Sequence, residues 1–191
     1  FESVLKVLNK FIEQGKIRHI GLCNETPYGF TKFLKISENQ NLPRVVSVQN
    51  PYSLVNRTYE VGMAEISIRD QVGLLAYSPL GFGVLSGKYL NNQMPEGSRL
   101  KLFGGDFPRY QGTRTSNAVE LYFTIAKKHN LSLAKMSLAF VNQQKFVTSN
   151  IIGATTLDQL KENISSINIV LSEDILNEIN IIHNENPNPA P

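Results

Sequence analysis

The chain is 191 residues long, with 41% hydrophobic and 18% charged residues, 13 glycines and 9 prolines. This is the composition of a folded domain, neither disordered nor collagenous, and a chain of this size buries roughly 70% of its unfolded surface. The net charge of +3, from 19 basic and 16 acidic residues without runs, argues against a dedicated nucleic-acid binder.

The lone cysteine, Cys23, excludes an intramolecular disulfide framework, and His19, His129 and His183 match no metal-ligand spacing. No apolar run approaches the ~20 residues of a membrane span and no secretory signal opens the chain, so a cytoplasmic location without a membrane span is expected. Cys23 reads as a small core residue, and His19 and His129 as structural.

Apolar residues at 1, 4, 5, 8, 11 and 12 recur at helical spacing. With neither Met nor a capping residue ahead of them, the chain is expected to start within a larger protein. Gly15 is a favourable helix stop, and residues 17–22 then read as a strand. Pro27 fits the first turn of a second helix through Ile36. A β-branched run at 45–49 predicts the next strand, 59–69 a third helix and 73–77 a third strand. The evenly spaced strand starts are the mark of βα units and a parallel sheet.

A glycine-rich turn at 78–83 leads into a long stretch, 91–113, expected to be irregular. Helices follow at 116–129 and 133–143, a fourth strand at 151–153, a helix at 157–164 and a last helix capped by Ser172. The tail, 186–191, reads as irregular and surface-bound. A complete (β/α)8 barrel takes roughly 250 residues and eight strands. Four strands fit either half of one or an open doubly wound sheet. No G-x-G-x-x-G follows the first strand, so the fold class read here is α/β, the C-terminal half of a (β/α)8 TIM barrel, as a single domain over residues 1–191.

In parallel α/β folds chemistry collects beyond the carboxyl ends of the strands. Those ends read Cys23-Asn24, Gln49-Asn50, Tyr77-Ser78 and Gly153-Ala154-Thr155-Thr156, each with a side chain able to hydrogen-bond, although an asparagine there more often closes a turn than binds a ligand. Asn24 and Gln49 complement a carboxamide, Tyr77 offers a face for stacking, and Lys88 and Arg99 are candidate phosphate partners. Gln159 and Asn163 share one face of the helix after Thr156. Each residue alone has an ordinary structural explanation; together they suit a nicotinamide dinucleotide.

The segments Gly15-Lys16-Ile17-Arg18-His19-Ile20-Gly21-Leu22-Cys23-Asn24, Val48-Gln49-Asn50-Pro51-Tyr52, Leu75-Ala76-Tyr77-Ser78-Pro79-Leu80-Gly81 through Lys88-Tyr89, and Ile151-Ile152-Gly153-Ala154-Thr155-Thr156 through Asn163 resemble, in order, strands five to eight of the aldo-keto reductases. The tail resembles the Tas-type branch, near the potassium-channel β-subunit group. The resemblance implies NADP(H) as cofactor and a small carbonyl substrate. It implies that Asn24 and Gln49 hold the carboxamide, Tyr77 stacks on the ring, and Ser78, Leu80 and Gly81 carry the pyrophosphate. Lys88 and Arg99 would meet the phosphates, including the 2′-phosphate, Thr155 and Gln159 would complete that end, and Glu162 and Asn163 would read the adenosine. Cys23 departs from the serine usual before Asn24.

The family's catalytic Asp, Tyr, Lys and His precede this segment, so no catalytic residue is assigned. The full-length parent is expected to reduce aldehydes or ketones, and the 191-residue chain alone to be inactive without an N-terminal half barrel in cis or trans. An NADP-binding regulatory module of the channel β-subunit kind and a truncated product without function are the alternatives.

Overall fold

The computed structural model describes residues 1–191. They form two compact units, one of Phe1–Asn50, Tyr59–Leu75 and Lys145–Ser149, the other of Pro51–Thr58, Ala76–Gln144 and Asn150–Pro191.

The first unit opens with α1 (Glu2–Glu13), supported by a Lys6–Glu2 ion pair one turn apart. The helix ends at Gln14, followed by Gly15 at φ +69° as expected. The amides of Lys16 and Ile17 then both turn back to the Phe11 carbonyl. Spent on closing the helix, they cannot join a ladder, so β1 (Ile20–Cys23) starts three residues later than the sequence suggests. His19 therefore lies just outside the strand. Thr26 caps α2 (Pro27–Asn39) by accepting from the Gly29 amide, with Pro27 in the first turn.

β1 pairs in parallel with β2 (Val45–Pro51), with Cys23 opposite Gln49. A side chain at Gly21 would meet Ser47 Oγ at 2.6 Å and the Ser47 carbonyl oxygen at 3.2 Å, which explains the glycine. The helix expected over 59–69 is broken. Thr58–Glu60 forms one 3-10 turn, Gly62 takes φ +88°, and only Met63–Arg69 is α-helix, α3. Tyr59 is buried there, its hydroxyl 2.5 Å from Ser67 Oγ and its ring 5.5 Å from that of Phe146. Burial pushes the Tyr59 phenol above its ordinary pKa, with the Ser67 hydrogen bond opposing.

β3 (Gly73–Tyr77) falls where expected, but β4 is Val147–Asn150 rather than 151–153. Pairing with β3 begins before Val147, where the Leu74 amide donates to the Phe146 carbonyl, and reaches Ile151, whose amide donates to the Ala76 carbonyl, each at 2.8 Å. The four strands form one parallel sheet in the order β1-β2-β3-β4. Their final residues Pro51, Ala76, Tyr77 and Asn150 belong to the second unit.

The second unit is largely helical, with α5 (Thr113–Lys128), α6 (Leu133–Asn142), α7 (Leu157–Ser165) and α8 (Glu173–Glu185). Tyr52, Leu54, Leu85, Tyr122, Met136, Leu138 and Ile179 are fully buried, each large apolar side chain contributing roughly 1.5–3 kcal/mol. The segment expected to be irregular, 91–113, holds a short helix α4 (Arg99–Phe103) and 3-10 turns at Gly104–Asp106 and Pro108–Tyr110. The tail is irregular but not loosely bound. Ala190 is fully buried and donates to the Val55 carbonyl at 3.0 Å, while Asn188 Oδ1 accepts from the Arg57 amide at 2.7 Å. Polar segments bind this way when backbone groups elsewhere need partners, which a compositional reading does not register. No helix is long and apolar enough to cross a membrane.

Candidate functional site

In the first unit the ends of β1 and β2 bring Asn24 and Gln49 together. The Asn24 amide donates to the Gln49 carbonyl at 2.9 Å, extending the ladder by one residue before the chain turns left-handed at Asn24, φ +53°. Asparagine tolerates that conformation better than most residues. Cys23 is exposed, not a core residue, because it points outward at the end of β1. Its thiol donates to Gln49 Oε1 at 3.6 Å and so bears on the orientation of the amide. Asn50 fixes the loop after β1 from both sides, accepting from the Glu25 amide at 3.1 Å and donating to the Glu25 carbonyl at 3.0 Å. Asparagine at a strand end more often closes a turn than binds a ligand, and Asn50 does so here.

In the second unit β3 runs into a turn with an unusual density of left-handed residues. Ser78, Gly81, Phe82 and Gly83 have φ of +53°, +53°, +59° and +98°. Glycine adopts these freely, but at Ser78 and Phe82 the conformation costs on the order of 1–3 kcal/mol each, and such strain gathers at functional sites. The turn is held by Gly81 donating to the Ser78 carbonyl at 2.8 Å, Gly83 to Leu80 at 2.9 Å and the Ser86 hydroxyl to Gly83 at 2.7 Å. Phe82 is buried against Phe107 and Tyr110, ring centroids at 4.5 and 5.5 Å.

This turn gathers the two cations expected to meet phosphates. The Arg99 guanidinium lies 4.7 Å above the Phe82 ring, and Lys88 folds back so that a side chain at Gly83 would meet its Cε at 3.3 Å. Lys88 and Arg99 thus sit at consecutive residues of the turn, although far apart in sequence. The sequence reading missed Phe82 and Tyr89 here. A large aromatic between two glycines of a tight turn is the one signal that could have marked Phe82.

Thr155, Gln159 and Asn163 form a group on α7 and the loop before it. The Thr155 amide and hydroxyl both donate to Gln159 Oε1 at 3.0 Å, and Thr156 caps the helix by accepting from the Gln159 amide at 3.2 Å. Asn163 is buried, not an exposed helix polar, and donates to the Gly153 carbonyl at 3.1 Å. Glu162 turns elsewhere, accepting from the Ser132 hydroxyl at 2.5 Å.

Comparison with known proteins adds an independent line. Residues 1–184 match the model of the Aldo/keto reductase family. Protein tas of Escherichia coli (strain K12) is 51% identical over 189 residues, covering 99% of this chain and 54% of that protein. An aldo-keto reductase of Babesia bovis is 37% identical, covering 95% of this chain and 66% of that protein. The L-glyceraldehyde 3-phosphate reductase of Escherichia coli (strain K12) is 29% identical, covering 87% and 49%. The chain spans about half the length of tas and of that reductase.

Proposed function

Because the chain belongs to the aldo/keto reductase family, we propose that it is the cofactor-binding half of an NADPH-dependent reductase that converts aldehydes or ketones to alcohols. In this reading it forms strands five to eight of a (β/α)8 barrel. The sheet supports that architecture: its strands follow chain order without the reversal that defines a doubly wound sheet. So does the chain's span of about half the length of tas.

The observation that carries the proposal is the turn after β3, with Lys88 and Arg99 laid on consecutive left-handed residues. Its residues fit a phosphate-bearing dinucleotide. Gly81 is buried and a side chain there would crowd Val55 and Val84, while at Gly83 the absence of a side chain lets Lys88 and the Tyr89 ring lie against the backbone. The two cations supply the charge complement. When bound, the reduced nicotinamide supplies the hydride.

The chain's own residues would bind and orient. Asn24 and Gln49 hold the carboxamide, Tyr77 stacks against the ring, and Ser78, Leu80 and Gly81 carry the pyrophosphate. Lys88 and Arg99, helped by Thr155 and Gln159, select the 2′-phosphate. Glu162 meets the adenosine by exchanging its Ser132 contact for the ligand, and Asn163 serves that end through the Gly153 loop it holds. The protonating groups toward the carbonyl lie outside these residues.

The test is a titration of the protein, as its gene encodes it, with NADPH and NADH, followed through the fluorescence of the reduced nicotinamide. This chain contains no Trp to interfere. Preferential NADPH binding that weakens at least tenfold in Arg99→Ala and Lys88→Ala is expected, together with turnover of simple aldehydes. Equal, weak binding of both dinucleotides by the wild type refutes the reading.

A further inference from the structure

We propose that Tyr89 is a positioning residue that sets the protein's preference for the 2′-phosphorylated dinucleotide, by joining the segment that carries Lys88 to the segment that carries Arg99. The inference rests on the cofactor reading above and deepens it.

Three contacts converge on this one half-buried side chain. Its hydroxyl accepts the backbone N–H of Leu100 at 3.1 Å, within the first turn of α4. Its ring lies 5.2 Å beneath the Lys88 ammonium. Its Cε2 stands 3.5 Å from where a side chain at Gly83 would begin, so the ring packs on the bare backbone of the turn.

The hydrogen bond to Leu100 replaces the usual arrangement at a helix start. Ser98 occupies the capping position of α4, yet its side chain makes no capping bond. The Ser98 hydroxyl is instead buried without a partner. A five-residue helix with no cap of its own is marginal in isolation. The Tyr89 phenol fills the vacancy, and Arg99 is the helical residue between Ser98 and Leu100.

The consequence is geometric. Lys88 and Arg99 are separated by ten intervening residues, including left-handed Asn91, Asn92 and Gly97. Such a linker does not fix one cation relative to the other. Tyr89 does so directly, since one side chain touches the Lys88 ammonium, the Gly83 backbone and the amide beside Arg99. Removing its hydroxyl loosens the α4 backbone that carries Arg99, leaving the guanidinium only its Phe82 contact, and keeps the ring under Lys88. A 2′-phosphate feels that loss, and a dinucleotide without one does not.

The experiment compares wild type, Tyr89→Phe and Tyr89→Leu in the protein as its gene encodes it, measuring dissociation constants for NADPH and NADH by nicotinamide fluorescence. Tyr89→Phe, which keeps the ring, is expected to weaken NADPH about tenfold and NADH less than twofold. Tyr89→Leu, which also removes the ring from Lys88, is expected to lower the NADPH preference further. Arg99→Ala in the Tyr89→Phe background should then add little. Unchanged NADPH binding in Tyr89→Phe, with wild-type preference intact, overturns the role of Tyr89 alone. An equal loss for both dinucleotides marks a merely structural residue and overturns it too. A wild type that binds both alike removes the Lys88 and Arg99 assignment underneath, and the proposal falls with it.

Discussion

Asn163 donates its side-chain amide to the carbonyl oxygen of Gly153 at 3.1 Å, tying the body of α7 to the loop between β4 and that helix. Ser166 Oγ in turn donates to the Asn163 carbonyl at 2.6 Å and accepts from Asn142 Nδ2 at 3.2 Å, and Asn142 Oδ1 receives Asn150 Nδ2 at 2.9 Å. A chain of hydrogen bonds thus runs from the end of β4 through α6 to the loop that presents Thr155. Asn163→Ala removes the last donor of this chain, the one that holds Gly153, and leaves the backbone carbonyl that receives Ser166. The expected cost is about 1–2 kcal/mol of stability in urea unfolding, with NADPH binding weakened through the displaced loop. Loss of binding with no loss of stability would mean that Asn163 acts only on the ligand.

The βα rhythm was legible in the sequence because strand and helix periods differ and the helix boundaries are strongly marked, by a stop at Gly15 and by starts at Pro27 and Ser172. What escaped were features fixed by partners distant in sequence. Ile17 looks like a strand residue until its amide is claimed by Phe11. The start of β4 is fixed by the Phe146 carbonyl accepting from Leu74, which puts Ile151, bonded to Ala76, at the end of the pairing and not at its beginning. In the candidate site, Lys88 and Arg99 could be named from the sequence. That they converge on Gly83 and Phe82 follows only from four left-handed residues in one turn. Cys23 was misplaced because its outward direction depends on the register of β1 against β2.

Tyr59 and Ser67 form a polar pair within the apolar core of the first unit, both almost wholly buried. Tyr59→Phe leaves the Ser67 hydroxyl without this partner, and the expected loss is about 1–3 kcal/mol in denaturant unfolding. Tyr59→Phe combined with Ser67→Ala should recover part of it, since removing both partners removes the orphan. The phenol's raised pKa adds an alkaline signature. Stability from keeping it neutral is fully present below the unfolded value and is lost as pH rises through the raised folded one. The Phe variant should lack that component.

The tail is a structural element of the second unit. Besides Asn188 and Ala190, the carbonyl of Pro189 accepts from Thr115 Oγ1, that of Pro187 from Arg114 and that of Pro191 from Arg109, each at 3.0 Å. Removing residues 187–191 strips partners from the Val55 carbonyl and the Arg57 amide, in the segment that follows β2. With each hydrogen bond worth roughly 0.5–1.5 kcal/mol, a loss on the order of 3 kcal/mol is expected in chemical unfolding. Hydrogen exchange should quicken at Arg57. A truncated protein as stable as the intact one would return the tail to the status of loose surface chain.

Glu178 on α8 accepts from Lys128 Nζ and from His129 Nε2, each at 3.0 Å, at the C-terminal end of α5. Lys128 first and His129 second hold its carboxyl below the ordinary range. The ionised form is therefore favoured in the folded chain. The stability it contributes is present above the unfolded carboxylate pKa and is lost as pH falls through the lowered folded value. The cations also lie where the α5 dipole favours positive charge. Melting temperatures measured across an acidic pH series should fall for the wild type in that window. Glu178→Gln should melt lower at neutral pH and show a flatter acid limb. Parallel curves for the two proteins would show that the contact between α5 and α8 carries no ionic component.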